Sequence, residues 1–135
     1  SWFLPRVVGI SRAMEWVSTG RVFTAREALD GGLVRSLHPD GELLPAAYAL
    51  AQEIDSNTAP VSVAVSRQLM WRGLVAGHPM EAHMADSRGM LVMGASEDVK
   101  EGIAAFLEKR APRFSMSVSR DLPDLFPFYH TPDFA

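Results

Sequence analysis

The sequence predicts a mainly α fold with one or two short strands. Apolar residues recur at three- and four-residue spacing along most of the chain, which is the period of an amphipathic helix. Ser, Thr or Pro stands where such helices would begin, and Gly or Pro stands where they would end. Together these signals indicate about six helices.

Composition bounds the class of protein before any motif is considered. The 135 residues suffice for one domain, and the net charge of −3 gives no basic surface for nucleic acid or an anionic membrane. No apolar run approaches the roughly 20 residues of a membrane span. The chain has no Cys, which excludes disulfides and thiolate chemistry and fits a reducing compartment. We therefore expect a cytoplasmic protein that binds neither nucleic acid nor membrane.

The first helix is expected between Ser11 and Thr19. Pro5 favours an extended or turn conformation in the residues before it. Ser11 is a natural N-cap, and Gly20 tolerates the left-handed conformation that often follows a helix. A short extended piece is then expected over residues 21–23.

A capping box predicts the next helix. Thr24 can accept from the amide of Glu27, whose side chain can reach back to the start of the helix. Gly31 and Gly32 follow this helix, which favours a C-cap over a phosphate-binding loop. Residues 33–37 then have the composition of a strand. Because a lone strand is not stable, it implies a partner strand or a packing surface outside this chain.

Three helices are predicted in the middle of the chain. A turn at residues 38–41 precedes a helix over about 42–55. Proline in a first helical turn marks the start of the other two, at Pro60 and Pro79. They end near Gly77 and at Gly94.

Residues 96–114 carry the most complete helix signal. Ser96 is a natural N-cap, an acidic pair follows it at the positive end of the helix dipole, and a basic pair precedes Pro112. Apolar residues share one face at helical spacing: Val99, Ile103, Phe106 and Leu107. The acidic residues are expected to be exposed, and so to be poor candidates for acid/base catalysis: Glu97, Asp98 and Glu101. We place a helical region at 1–115 and an extended, aromatic and Pro-rich tail at 116–135.

The residues alone predict no catalytic and no metal site. His78 and His83 are five apart, so on a helix they diverge and cannot face one metal ion. The chain has no G-x-S-x-G or S-x-x-K motif and no glycine-rich loop after a strand.

Three stretches in order resemble the C-terminal portion of the enoyl-CoA hydratase/isomerase (crotonase) family. They are SWFLPRVVGISRAMEWVSTG, RVFTAREALDGGLVRSLHP and SEDVKEGIAAFLEKRAPRF. The resemblance implies the helical region that follows a spiral core of ββα units, with the core itself absent from this chain. The apolar start, with Ser in place of Met, fits a chain entered in the middle of a fold. The closing VSRDLPDLFPF departs from shorter members of the family.

The resemblance also implies a function for the parent protein. Crotonase-like enzymes bind an acyl-CoA thioester as substrate, need no other cofactor, and stabilise its enolate with two backbone amides. Those groups belong to the core, so the resemblance assigns this chain no catalytic residue and no activity of its own. It assigns Phe106 and Lys109 to the adenosine and phosphate end of CoA, and it implies a homo-oligomer, a trimer or a dimer of trimers.

Two other readings stay open at this point. The resemblance implies that the parent adds water across the 2,3-double bond of an enoyl-CoA, in fatty acid or related acyl-CoA metabolism. The parent could instead catalyse another reaction of the superfamily, such as double-bond isomerisation or thioester hydrolysis. The chain could also be a free-standing helical interaction module without a catalytic partner. The apolar start at Trp2 and the isolated strand argue against this second reading.

Overall fold

The computed structural model describes residues 1–127 and 133, and these residues form eight α-helices. The chain divides into two compact units, residues 1–52 (unit 1) and 53–135 (unit 2). The helices are α1 Leu4–Val8, α2 Ile10–Thr19, α3 Ala25–Asp30, α4 Leu43–Asn57, α5 Pro60–Gly73, α6 Pro79–Gly94, α7 Glu97–Glu108 and α8 Val118–Asp121. The mainly α prediction is confirmed.

Unit 1 is built around Trp16, which is only 5% exposed. Its ring stacks on Phe23 with centroids 4.2 Å apart, and its indole Nε1 donates to Glu27 Oε1 at 2.9 Å. Glu27 also receives the guanidinium of Arg21, which in turn pairs with Glu15. The Glu27 carboxylate therefore binds both the buried indole of Trp16 and the guanidinium of Arg21 at the surface.

Gly31 is a glycine because of the space that Trp16 occupies. A Cβ at position 31 would lie 2.8 Å from the tip of the Trp16 ring, too close for any real contact. Gly32 has a positive φ of +75°, a conformation that favours glycine. Glycine is therefore required at position 31 by lack of space and at position 32 by backbone conformation. Leu33 N donates to Ala28 O at 2.8 Å across this turn, which confirms the predicted helix C-cap.

The predicted strands are wrong for the residues that the structure describes. Residues 21–23 and 33–37 are irregular, and no β-strand occurs in residues 1–127. Leu33, Val34 and Leu37 are each 38% exposed. A strand needs a hydrogen-bonded neighbour, and no described segment supplies one.

The predictions for helix starts are partly confirmed. Thr24 and Ser96 accept from the amides three residues on, at 3.1 and 3.3 Å, as the capping patterns predict. Glu27 does not reach back to complete the box, because Trp16 and Arg21 occupy it. Ser11 lies inside α2 and is not its cap. Pro5 lies in the first turn of α1, where a missing amide has no consequence, and not after an extended segment.

The core of unit 2 joins α5, α6 and a residue from beyond α8. Val61 and Leu125 are fully buried, and Val65 and Met93 nearly so. Leu125 lies against Gly89, where an added Cβ would be 3.5 Å from Leu125 Cδ1. Leu125 therefore packs at the distance of an ordinary contact from the space that a Cβ at position 89 would occupy.

Several predicted inner faces point to solvent instead. In α4 no residue is buried, and in α6 the buried residues are Ala85, Gly89 and Met93. Seven of the apolar residues predicted to pack in α6 and α7 are 42–75% exposed: Met80, Met84, Leu91, Val92, Ile103, Phe106 and Leu107. The helical period was right, but it could not show which partner covers each face.

The predicted tail has order where the structure describes it. It contains α8 and the buried Leu125. The Cζ atom of Arg72 lies 4.3 Å from the centroid of the Phe126 ring, in a cation–π contact. Residues 128–132, 134 and 135 of the predicted tail lie outside the described residues. The domain boundary at residue 115 stays a prediction. Among the described helices, none combines the length and apolarity that a membrane span requires.

Replacing Leu125 by Ala should destabilise unit 2 by about 2–5 kcal/mol, because it empties a fully buried site between α5 and α6. Urea unfolding measures this change. Leu91→Ala, at a residue 75% exposed, is the matched control and should change stability by less than about 0.5 kcal/mol. Equal effects of the two substitutions would contradict the described core.

Acid should weaken unit 1 through Glu27. Its hydrogen bonds from Arg21 and then from Trp16 lower its pKa from 4.5 to about 2. A depressed folded pKa gives stability that is present above about pH 4.5 and is lost as the pH falls toward about 2. Glu27→Gln should therefore make the free energy of unfolding less dependent on pH in this window. An unchanged slope in urea titrations across the window would refute the assignment.

Candidate functional site

The two residues that the resemblance assigns to CoA meet at the C-terminal end of α7. The ammonium of Lys109 lies 4.4 Å from the centroid of the Phe106 ring. Phe106 is 72% exposed, and Lys109 is exposed too. We call this pair the lip. It presents an aromatic face and a positive charge side by side.

Lys109 has a left-handed backbone, with φ 58° and ψ 36°. It is the C-cap of α7 and the one non-glycine residue with positive φ in the described part of the chain. This conformation costs a residue with a Cβ about 1–2 kcal/mol. The basic pair before Pro112 predicts that Lys109 lies in the last helical turn. The structure places it one step beyond, where the chain reverses.

Glu101 fixes this reversal from inside α7. Its two carboxylate oxygens accept from Arg110 Nη1 at 2.6 Å and Nη2 at 2.9 Å, and the first also accepts from the Arg113 amide at 2.6 Å. The Arg110 side chain and then the Arg113 amide lower the pKa of Glu101 to about 2. Arg110 Nε donates to Glu108 as well, at 2.6 Å.

Asp98 was predicted to be exposed, and this prediction is wrong. It is 2% exposed, and its Oδ1 accepts from the amides of Ser115 and Met116 at 2.9 and 3.2 Å. No described residue hydrogen-bonds its Oδ2. Asp98 and Glu101 are three residues apart and share one face of α7. In the sequence, this spacing was the one sign that both carboxylates could accept hydrogen bonds from the same neighbouring segment.

An open groove with a volume of about 430 Å³ runs beside the lip. Apolar atoms dominate its walls, and Asp98 and Ser62 supply the polar side chains. The other lining residues come from the start of α5, from α7 and from the segment after it: Ala59, Val99, Gly102, Ile103, Phe106, Leu107 and Phe114.

No assembled catalytic or metal constellation accompanies the lip in the residues that can be described. His78 caps α6, its Nδ1 accepting from the Met80 amide at 3.1 Å. Groups of three or more His, Asp or Glu residues that could hold a metal ion do not occur there. The lip can offer charge and an aromatic surface to a ligand. Ser36 Oγ and His38 Nε2 lie 2.8 Å apart in an exposed loop of unit 1, and neither residue belongs to the lip.

Comparison with known proteins gives a consistent result. The family model for enoyl-CoA hydratase/isomerase matches residues 1–117. An enoyl-CoA hydratase of Alternaria alternata is 36% identical over 115 residues, which are 84% of this chain and 38% of that protein. The chain thus spans less than half the length of this relative.

Solved structures agree with the sequence match. The enoyl-CoA hydratase of Bacillus anthracis has a TM-score of 0.77 and 31% identity over 82% of this chain and 42% of its own. That of Mycobacterium tuberculosis H37Rv has a TM-score of 0.76 and 31% identity over 83% and 44%. With a family match that begins at the first residue and takes in all of α7, the chain belongs to the enoyl-CoA hydratase/isomerase family.

Proposed function

We propose that this chain supplies the CoA-binding lip and part of the subunit contacts of an enoyl-CoA hydratase. The observation that carries the proposal is the lip itself, in a chain that belongs to this family. Phe106 offers an apolar face to the adenosine of CoA. Lys109 offers a compact positive charge to its phosphates.

The state of Lys109 supports a ligand-binding role. Its ammonium makes no ion pair with any carboxylate in the described residues, whereas Lys100 on the same helix pairs with Glu97 at 2.6 Å. Its left-handed backbone is the strained conformation that Gly or Asn adopts more readily. Strained backbone conformations cluster at functional sites, so the combination of this backbone with an ammonium that pairs with no described carboxylate supports a binding role.

The proposed reaction is the addition of water across the 2,3-double bond of an enoyl-CoA thioester. Two backbone amides would hold the thioester oxygen as negative charge develops on it. We assign those amides, and the residues that handle water, to a spiral core outside this chain, so the chain alone is expected to be inactive. Double-bond isomerisation and thioester hydrolysis are the alternatives within the family, and the CoA thioester is the substrate in each.

We further propose that the chain is the C-terminal helical region of the parent enzyme. The resemblance of residues 96–114 to a terminal helix supports this assignment, and the covered share of the relatives, 38–44%, fits a part of a longer enzyme without indicating which part. The absence of Cys supports a cytoplasmic location. A reading frame that continues upstream of Ser1 into a core with paired glutamates would support a hydratase. A start codon with no core before Ser1 would refute the proposal.

The exposed apolar residues of α7 support a proposed oligomer. Ile103, Phe106 and Leu107 are 58–72% exposed on one helix, and neighbouring exposed apolar side chains of this kind are a feature of protein interaction surfaces. We expect homo-oligomers built on threefold symmetry, trimers or paired trimers.

Replacing Lys109 by Gly should separate binding from stability. Gly suits the left-handed position, so the free energy of unfolding should stay equal or rise by up to about 1 kcal/mol. The lost phosphate contact, worth about 1 kcal/mol, should raise the KM for an enoyl-CoA about fivefold in the intact enzyme, with kcat unchanged. Lys100→Gln, at the exposed pair with Glu97, is the control. A KM that does not respond to Lys109→Gly would refute the lip.

The oligomer can be tested on the chain itself. Ile103→Glu places a charge in the exposed patch and should shift the sedimentation of the chain toward monomer. Ser66→Glu adds the same charge at an exposed position of α5 and should not do so. A wild-type chain that sediments only as monomer at high concentration would count against an interface within these residues.

A further inference from the structure

We propose that Glu101 and Arg110 are positioning residues of the lip, because their ion pair holds Lys109 in the left-handed conformation that sets the Lys109 ammonium over Phe106. This inference rests on the proposed function of the lip. It assigns to the basic pair at the end of α7 two different tasks: Lys109 meets the ligand, and Arg110 holds the backbone.

The first step is that Lys109 needs to be held. Lys and Arg favour helix, so nothing in residues 109 and 110 by themselves ends α7 there. Pro112 prevents the helix from continuing through it, because its ring would clash with the carbonyl of Glu108 and it disfavours a helical Ala111, but it does not require a left-handed residue at position 109. The left-handed turn at Lys109 therefore requires interactions from elsewhere that outweigh its conformational cost.

The second step is that Arg110 supplies these interactions. Its guanidinium forms a bidentate pair with Glu101, at 2.6 and 2.9 Å, and its Nε reaches Glu108. Its amide donates to Ala105 O at 3.1 Å, the bond that closes a turn through a left-handed residue. With its side chain bound to two carboxylates, Arg110 is not available to a phosphate.

The third step is that Glu101 also binds the far side of the reversal. The amide of Arg113 donates to the same Oε1 that receives Arg110. The carboxylate of Glu101 is 23% exposed, so these bonds are partly shielded from water and are worth more than those of an exposed pair. One carboxylate thus fixes the residues on both sides of Ala111 and Pro112, and with them the exit of the chain from Lys109.

The inference is tested on the full chain by NMR. In the wild type, Lys109 should show the strong intraresidue amide-to-α-proton NOE of a positive φ, and its side-chain methylene protons should be shifted upfield by the Phe106 ring. Glu101→Gln and Arg110→Gln should each lose both signals. Arg110→Lys keeps the charge but not the fork, so it should not restore them.

A substitution that only destabilises the fold provides the control. Leu125→Ala lowers the stability of unit 2 without touching the ion pair, so it should keep both Lys109 signals in the folded population. If Lys109 stays left-handed in Glu101→Gln and Arg110→Gln, or loses its signals in Leu125→Ala as well, the positioning role is wrong.

Kinetics on the intact enzyme connect the conformation to the ligand. Glu101→Gln should raise the KM for an enoyl-CoA without changing kcat, and it should add nothing in a Lys109→Gly background. An additive effect would refute positioning while leaving the lip intact. A KM that is insensitive to Lys109→Gly, with the NMR signals behaving as expected, would refute the proposed function of the lip but not the conformational role of the ion pair.

Discussion

The segment after α7 is held by two carboxylates of the helix itself. Asp98 and Glu101 accept three backbone amides between Arg113 and Met116. These amides would otherwise have no partner in an irregular segment, and charged acceptors make their hydrogen bonds stronger than neutral ones would. The path of this segment decides where Lys109 turns and how α8 and Leu125 return to the core of unit 2. The hydrogen bonds of Asp98 and Glu101 to this segment therefore affect both the lip and the core of unit 2.

Much of the fold could be predicted, because helix capping and helical period are local signals. The caps at Thr24 and Ser96 and the bounds of α6 follow from residues within a few positions of one another. The strands at 21–23 and 33–37 could not be judged in this way, since pairing depends on a distant segment. The inward or outward direction of Leu91 or Ile103 depends on partners that the local pattern does not contain.

The candidate site shows the same division. Phe106 and Lys109 could be named because they match a family motif, and the structure places the Lys109 ammonium 4.4 Å from the centroid of the Phe106 ring. The burial of Asp98 and the ion pair of Glu101 with Arg110 could not, because the partners lie nine to eighteen residues away across a reversal. The left-handed backbone of Lys109 also escaped prediction, since Lys is a poor marker for that conformation.

The contact between Gly89 and Leu125 has a consequence for sequence variation. A Cβ at position 89 would meet Leu125 at ordinary van der Waals distance, so Ala fits, whereas a branched side chain would need the volume that the leucine occupies. The side chains at positions 89 and 125, which are 36 residues apart in sequence, therefore have a limited combined volume. Among relatives that keep this tail, a larger residue at 89 should accompany a smaller one at 125. Loss of the tail would remove the limit on position 89 and leave an apolar opening between α5 and α6.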